Sequence, residues 1–263
     1  MIYMEVQQIE EKLKTALKPS RYRHTLGVAY TASCMAMVFG VDVHKAYRAG
    51  LLHDCAKGFS MEEQRALCKR YNISLEGTLT KSPQLMHQEI APFLASDEYK
   101  EQDSEVLSAI ACHTTGKIGM TPLEQIVFIA DYMEPNRKMI PGLSKVRKLA
   151  FEDLDKCTKT ILKNTIEYLT ECGQEIDERT VETYKYYRDK RRIKMDQSLN
   201  MVKIAYDALD DKLAEDIKII DIRSISVLAD YFIIADGNNK NQVQAMVDNV
   251  QEELFKAGDR KST

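Results

Sequence analysis

No apolar run in the 263 residues approaches the roughly 20 needed to cross a bilayer, and Met1–Glu10 lacks the basic region and apolar stretch of a secretory leader. These absences argue against a helical membrane span and a membrane partner, and the expectation is a cytoplasmic protein. The six cysteines, Cys34, Cys55, Cys68, Cys112, Cys157 and Cys172, form no CxxC pair and no disulfide framework, so reduced, buried thiols are expected. Neither sign of charge prevails. The formal net charge is −3, which argues against a protein that coats nucleic acid generally. There is no internal repeat and no low-complexity linker, so a domain boundary has to be read from a change of periodicity. Length and a hydrophobic content of 44% suit one large domain with a core of its own plus a small one.

Helical signals run almost without interruption to about residue 194. Val6, Ile9, Leu13, Ala16 and Leu17 form one stripe, stopped by Pro19; Ser20 caps a second helix that ends at Phe39 and Gly40. Asp42 caps a third, which runs to Gly58 and carries His53 and Asp54 on its last turn. Ser60 and Glu63 make a capping box, His87 opens the segment Gln88–Leu94, and Ser104 caps a helix ending at His113 and Gly116. Thr121 and Pro122 begin a helix through Asp131, ended by Pro135. Two or three more occupy Ser144–Cys172 and Asp177 to about Ile193.

After Asp196 the period changes. A helix begins at Ser198, Asp216–Asp221 alternates as a strand does, Tyr231–Ala235 is a short apolar run, and Asn239 caps a last helix. The division expected is 1–196, mainly α, followed by 197–263, a small α/β module. The part from Ser198 on carries a net −4 and the part before it +1.

Four of the five histidines fall with two aspartates into the order His24, His53-Asp54, His87, His113, Asp131. Imidazole suits Fe, Mn, Ni or Zn, and a carboxylate can bridge two cations. A lone histidine on an apolar helix face is commonly a hydrogen-bonded core residue, but the joint occurrence points to a two-metal hydrolytic site. His44, beside Lys45, is read as a solvated side chain.

The segment Leu51-Leu-His-Asp-x-x-Lys57, with His24 upstream and Asp131 downstream, resembles the HD superfamily of metal-dependent phosphohydrolases. Ala109-Ile-x-x-His-Thr-x-Gly116, Pro122-Leu-Glu and Ile129-Ala-Asp-Tyr-Met-Glu-Pro-Asn-Arg137 are similar to its YqeK-type branch. That resemblance implies an HD-domain helical bundle and symmetrical cleavage of diadenosine tetraphosphate to two ADP. It implies two divalent transition-metal ions, iron first, with Mn, Co, Ni or Zn as alternatives. It matches His24, His53, Asp54 and Asp131 to one ion, His87 and His113 to the second, and Asp54 to the bridging carboxylate. Lys57 is placed to offer a point charge to a phosphate, and Arg137, or Arg21 and Arg23, to fork onto another. Thr114 and Gly116 shape the loop after His113. Asp54, Lys57 and Arg137 are the expected catalytic residues, and Lys57, Arg137, Arg21, Arg23 and Thr114 the expected substrate contacts. The ligands do not fix substrate length, so an HD nucleotidase acting on mononucleotides is the alternative, and a homodimer is expected to be compatible with either.

The segment Leu213–Asp221, with Ala229–Gly237 and the helix bearing Gln242 and Ala245, resembles the ribosomal silencing factors, which dock on the large ribosomal subunit. That family continues into a Trp-bearing strand, whereas this chain holds no Trp. The expectation is an incomplete module with an unpaired sheet edge and an uncovered apolar face of Ile217, Ile219, Phe232 and Ile234, making at most a weak large-subunit contact. A ribosome-associated anti-association factor with a non-catalytic helical domain is the reading from another class. The basic, aromatic stretch Tyr184–Lys194 is read as a solvated surface helix in preference to an RNA contact.

Overall fold

The computed structural model describes residues 4–76, 78–223, 225–226 and 229–258. The chain forms two compact units, Met1–Arg188 and Asp189–Thr263. Among the described residues the elements are α1 (Val6–Ala16), α2 (Pro19–Phe39), α3 (Val43–Leu52), α4 (Met61–Arg70), the one-turn α5 (Thr78–Lys81), α6 (Met86–Tyr99), α7 (Ser104–Ala111), α8 (Pro122–Met133), α9 (Leu143–Leu149), α10 (Leu154–Glu171), α11 (Glu178–Asp210), β1 (Glu215–Asp221), β2 (Tyr231–Asp236) and α12 (Lys240–Lys256).

The first unit is built around α8. Its residues Leu123–Ala130 are all buried, as expected of a helix apolar on nearly every side, and it packs against α2, α3, α7, α9 and α10. Thr121 and Glu124 form a reciprocal capping box at its start, with Pro122 at the first helical position, so the frame of Asp131 is set from the N-terminus. The helices α2 and α3 pack closely, with Ala29, Ala32 and Ala36 on one and Ala46 and Ala49 on the other all buried. A Cβ on Gly50 would lie 2.6 Å from Ala29 Cα, so only glycine admits this approach. Closing it brings His24 on α2 near His53 at the end of α3. A buried ion pair, Arg48 Nε to Glu101 Oε2 at 2.7 Å, ties α3 to the α6–α7 turn.

Several sequence expectations shift here. Pro19, not Ser20, starts α2, with Lys18 as the cap, because proline's fixed φ already suits the first helical position. The helix α3 ends at Leu52 and not at Gly58: His53 is its C-cap, and Asp54 precedes a 3-10 turn at Cys55–Gly58. Asp103 replaces Ser104 as the cap of α7, its carboxylate accepting from Glu105 N and Val106 N, and the helix stops at Ala111, ahead of His113. No break occurs near Ser198, since α11 continues from Glu178 to Asp210, a stretch without glycine or proline. Cys34 and Cys172 are exposed, while the other four thiols are buried. Tyr187 is buried and Tyr184 and Tyr186 are half-buried against the core, so this face of the helix is not a fully solvated one. The side chains of Arg191, Arg192 and Lys194 lie outside the described residues.

The second unit holds an antiparallel pair, β1 with β2, in the register Lys218–Ile234, Ile220–Phe232 and Asp221–Tyr231, with an irregularity between Glu215 and Lys218. Asn239 caps α12 by accepting from Gln242 N. Ile219, Phe232 and Ile234 are exposed, while Ile217 is half-buried.

Candidate metal centre

His24, His53, Asp54, His87, His113 and Asp131 converge in the first unit, although they span more than half of its sequence. They fall into two trios, His24, His53 and Asp131, and Asp54, His87 and His113, within each of which the ligand atoms lie no more than 4.8 Å apart. Asp54 faces both. Its Oδ2 is 3.8 Å from His24 Nε2 and 3.4 Å from His53 Nε2, and its Oδ1 is 3.5 Å from His87 Nε2 and 3.7 Å from His113 Nε2. Asp131 Oδ1 lies 3.0 Å from His24 Nε2 and 3.7 Å from His53 Nε2. Donors bonded to one transition ion at about 2.1 Å stand about 3 to 4.3 Å from one another, so these spacings suit one ion on each side of Asp54.

The hydrogen bonds of the four rings give the same answer. His53, His87 and His113 each donate Nδ1–H to the carbonyl three residues earlier: Gly50 at 2.6 Å, Gln84 at 2.6 Å and Ile110 at 2.7 Å. His24 donates to Glu134 Oε1 at 3.1 Å. With Nδ1 used as the donor, every Nε2 turns a lone pair toward the centre. His24 Nε2 and His53 Nε2 are buried and make no well-aligned hydrogen bond, although Asp131 Oδ1 lies 3.0 Å from the first. A buried nitrogen left this way costs about 1–3 kcal/mol, and a bound divalent ion removes that cost. The donor set of imidazole and carboxylate thus fits a transition metal.

Charge is balanced tightly. Burial opposes ionisation of Asp54, but the facing His53, His113 and His87 rings outweigh it and hold the carboxyl well below its usual range. Asp131 is likewise depressed, with burial overcome by His24, His53 and Arg137. Burial, His113 and Lys57 lower His87 to about 3, so its ring is neutral at pH 7. Burial lowers Lys57 as well, opposed by the Asp54 and Asp131 carboxylates.

A cleft of about 530 Å³ opens on this cluster, lined by Arg21, His24, His113, Thr114, Asp131 and Arg137 and by the apolar Phe128, Tyr132, Ile140 and Ile161. Arg21 Nη1 donates to Asp54 Oδ2 at 2.8 Å, and Arg137 forks onto the Asp131 carbonyl at 2.8 Å and Oδ1 at 2.6 Å. Thr114 Oγ1 lies 3.3 Å from His87 Nε2. Lys57 feels the same carboxylates but is not among the lining residues. Arg23 is exposed and is not brought into the cleft: one position from His24 on α2, it points to another face. His44 is exposed, as a solvated side chain should be.

Two supporting residues escape sequence reading. Gln88, fully buried, accepts through Oε1 from Thr114 N at 2.8 Å and Thr115 N at 2.9 Å, and so shapes the loop after His113. Glu134 carries the His24 ring. Both partnerships are non-local, and Gln88 beside His87 and Glu134 before Pro135 look like ordinary helix residues in sequence.

Fold and donor set define an HD-domain hydrolase that binds divalent metal, and the HD domain family model matches residues 21–136. The symmetrical bis(5'-nucleosyl)-tetraphosphatase of Bacillus subtilis (strain 168) is 38% identical over 174 residues, covering 66% of this chain and 92% of that protein. The chain belongs to the family of symmetrical bis(5'-nucleosyl)-tetraphosphatases. A crystal structure of a predicted HD superfamily hydrolase involved in NAD metabolism, from Clostridium acetobutylicum, superposes with a TM-score of 0.69 at 34% identity, covering 72% of this chain and 100% of that one. Residues 195–263 match the model of ribosomal silencing factor during starvation. Ribosomal silencing factor RsfS of Bacillus subtilis (strain 168) is 44% identical over 59 residues, which are 22% of this chain and 50% of that protein.

Proposed function

We propose that this chain hydrolyses diadenosine tetraphosphate symmetrically to two ADP at a centre of two divalent transition-metal ions, iron first among them. The observation that carries the reading is Asp54, whose two oxygens face two separate histidine sets at 3.4–3.8 Å. The proposed ligands are His24, His53, Asp131 and Asp54 Oδ2 for one ion, and His87, His113 and Asp54 Oδ1 for the other. When bound, such a pair supplies Lewis acidity and activates water at neutral pH.

The chain's own groups do the rest. In the reaction the oxygen of water bonds to one of the two inner phosphorus atoms, the central P–O–P bond breaks on that side, and the second ADP departs with the bridging oxygen. Arg21 and Arg137 hold the carboxylate oxygens that face the Nε2 atoms, and bound ions would compete for those oxygens. Both guanidinium groups are about 40% exposed at the cleft, where, once released, they would be placed to fork onto substrate phosphates. Lys57 adds a fixed positive charge beside Asp54, and Thr114 borders the phosphate path. Phe128, Tyr132 and Ile140 give the cleft the apolar wall that an adenine ring needs. Chromatography of products from diadenosine tri-, tetra- and pentaphosphate and from mononucleotides tests the reading. ADP alone from the tetraphosphate supports it; AMP with ATP, or turnover confined to mononucleotides, refutes it.

The reading extends to a cytoplasmic enzyme that is compatible with homodimer formation. For residues 197–263 it allows a weak contact with the large ribosomal subunit, supported by the similarity to ribosomal silencing factors. Cosedimentation with isolated large subunits at low salt tests that contact, and absence from the ribosomal pellet removes it.

A further inference from the structure

We propose that Glu134 is a positioning residue that fixes the tautomer and orientation of His24 for metal binding, and that Gly27 lacks a side chain in order to admit it. The inference rests on the two-metal reading above. His24 differs from the other three rings. They are oriented by carbonyls three residues earlier, whereas His24 is oriented by a carboxylate 110 positions away. A carboxylate acceptor fixes the Nδ1–H tautomer and makes Nε2 a stronger donor to a cation.

The carboxylate is itself held on every side. Glu134 is 1% exposed, and its Oε2 accepts from Asn136 N at 2.7 Å and Asn136 Nδ2 at 3.0 Å. Arg147 on α9 pins the backbone there, with Nε to the Met133 carbonyl and Nη2 to the Glu134 carbonyl, each at 3.0 Å. On the α2 side the space comes from Gly27, one turn beyond His24. An ideal Cβ there would sit 2.3 Å from Glu134 Oε2 and 3.0 Å from both Glu134 Cδ and Asn136 Nδ2. Gly27 lies inside a regular helix, where glycine is worth about 1 kcal/mol less than alanine, so its place is explained by the carboxylate it accommodates. The same short segment grips the trio twice, since Arg137 holds Asp131 while Glu134 holds His24.

The test is titration of metal-stripped full-length chain with Mn²⁺, read as ions bound per chain and affinity at each site, together with melting of the metal-free protein. Glu134→Ala is expected to weaken one of two sites by about 10–100-fold and leave the other. Glu134→Gln, which keeps an acceptor of the same shape, should lose less than Glu134→Ala. Gly27→Ala, which replaces neither a proposed ligand nor the carboxylate itself, should weaken the same site by displacing Glu134, and combined with Glu134→Ala it should add nothing further. Wild-type affinity at both sites in Glu134→Ala or, should that variant not fold, in both Glu134→Gln and Gly27→Ala, overturns the role of Glu134 alone. So does a double variant whose loss is the product of the single losses. A wild-type chain that binds no Mn²⁺ overturns the two-metal reading as well.

Discussion

The contact between α2 and α3 at Gly50 offers a perturbation whose size follows from geometry. An alanine Cβ at position 50 would lie 2.6 Å from Ala29 Cα, 2.9 Å from Ala29 N and 3.2 Å from Val28 C, all backbone atoms that no rotamer change can move. Carbon atoms are at ease near about 3.5–4.0 Å, so the two helices must part by about 1 Å. Overpacking of this kind costs about 1–3 kcal/mol, against which alanine's helix propensity returns about 1 kcal/mol. The net loss is about 0–2 kcal/mol, and at about 2–4 °C per kcal/mol the melting temperature should fall by less than about 8 °C. The site is far less tolerant. His24 and His53 sit on the two helices being separated, and metal bonds tolerate about ±0.2 Å. A displacement of about 1 Å at a reacting centre costs about 100-fold. Gly50→Ala should therefore remain folded at 25 °C by circular dichroism while its metal content and its turnover of diadenosine tetraphosphate collapse together. Wild-type turnover and metal content in a folded Gly50→Ala chain would refute the idea that this close approach sets the spacing of His24 and His53.

Other outcomes follow from particular residues. Asp54→Ala should lose both metal and turnover, whereas Lys57→Ala should keep its metal and lose rate; equal metal loss in the two, measured by elemental analysis, would show that Lys57 is no mere phosphate partner. Arg48→Met should destabilise the first unit by about 3–5 kcal/mol in urea unfolding, because it strands the buried Glu101 carboxylate. Burial opposes ionisation of Glu124, but Lys117, Ser108 and the Thr121 amide outweigh it and lower its pKa. Its contribution, about 1 kcal/mol given the half-exposed Lys117, is thus present above the unfolded value near 4.5 and lost as pH falls through the lower folded value. Melting curves of wild type and Glu124→Gln should differ at pH 7 and converge as the pH falls below the lowered folded value; a constant gap would contradict the assignment. Ending the chain after Asp196 should leave metal content and turnover within about twofold, since every proposed ligand precedes that point, and a large fall in kcat/KM would make the later residues part of the enzyme.

The six clustered residues were legible in the sequence because few other roles suit so many histidines near helix ends, with an aspartate directly after one of them. Their grouping about Asp54 was implied by the family resemblance alone, and the local turn behind it was not legible. That Asp54 faces both trios depends on α3 stopping at Leu52 and the chain turning at Cys55–Gly58, a stop signalled by neither Gly nor Pro at His53. Caps read well where a capping box fixed them, as at Thr121, and slipped where two capable residues adjoin, as at Asp103 and Ser104, or where a proline taken as a stop began the helix, as at Pro19. The continuous α11 carried a usable signal, the lack of any helix breaker from Glu178 to Asp210, which a change in apolar period obscured. Glu134 and Gln88 act across folded distance, and only the packing of α2, α6 and α8 reveals them.

Anomalous diffraction from crystals of the metal-loaded protein, collected on both sides of the iron edge, bears most directly on the two-metal centre. The account predicts two peaks on either side of the Asp54 carboxylate, one against His24 Nε2, His53 Nε2 and Asp131, the other against His87 Nε2 and His113 Nε2. A single peak, or peaks away from Asp54, would contradict it.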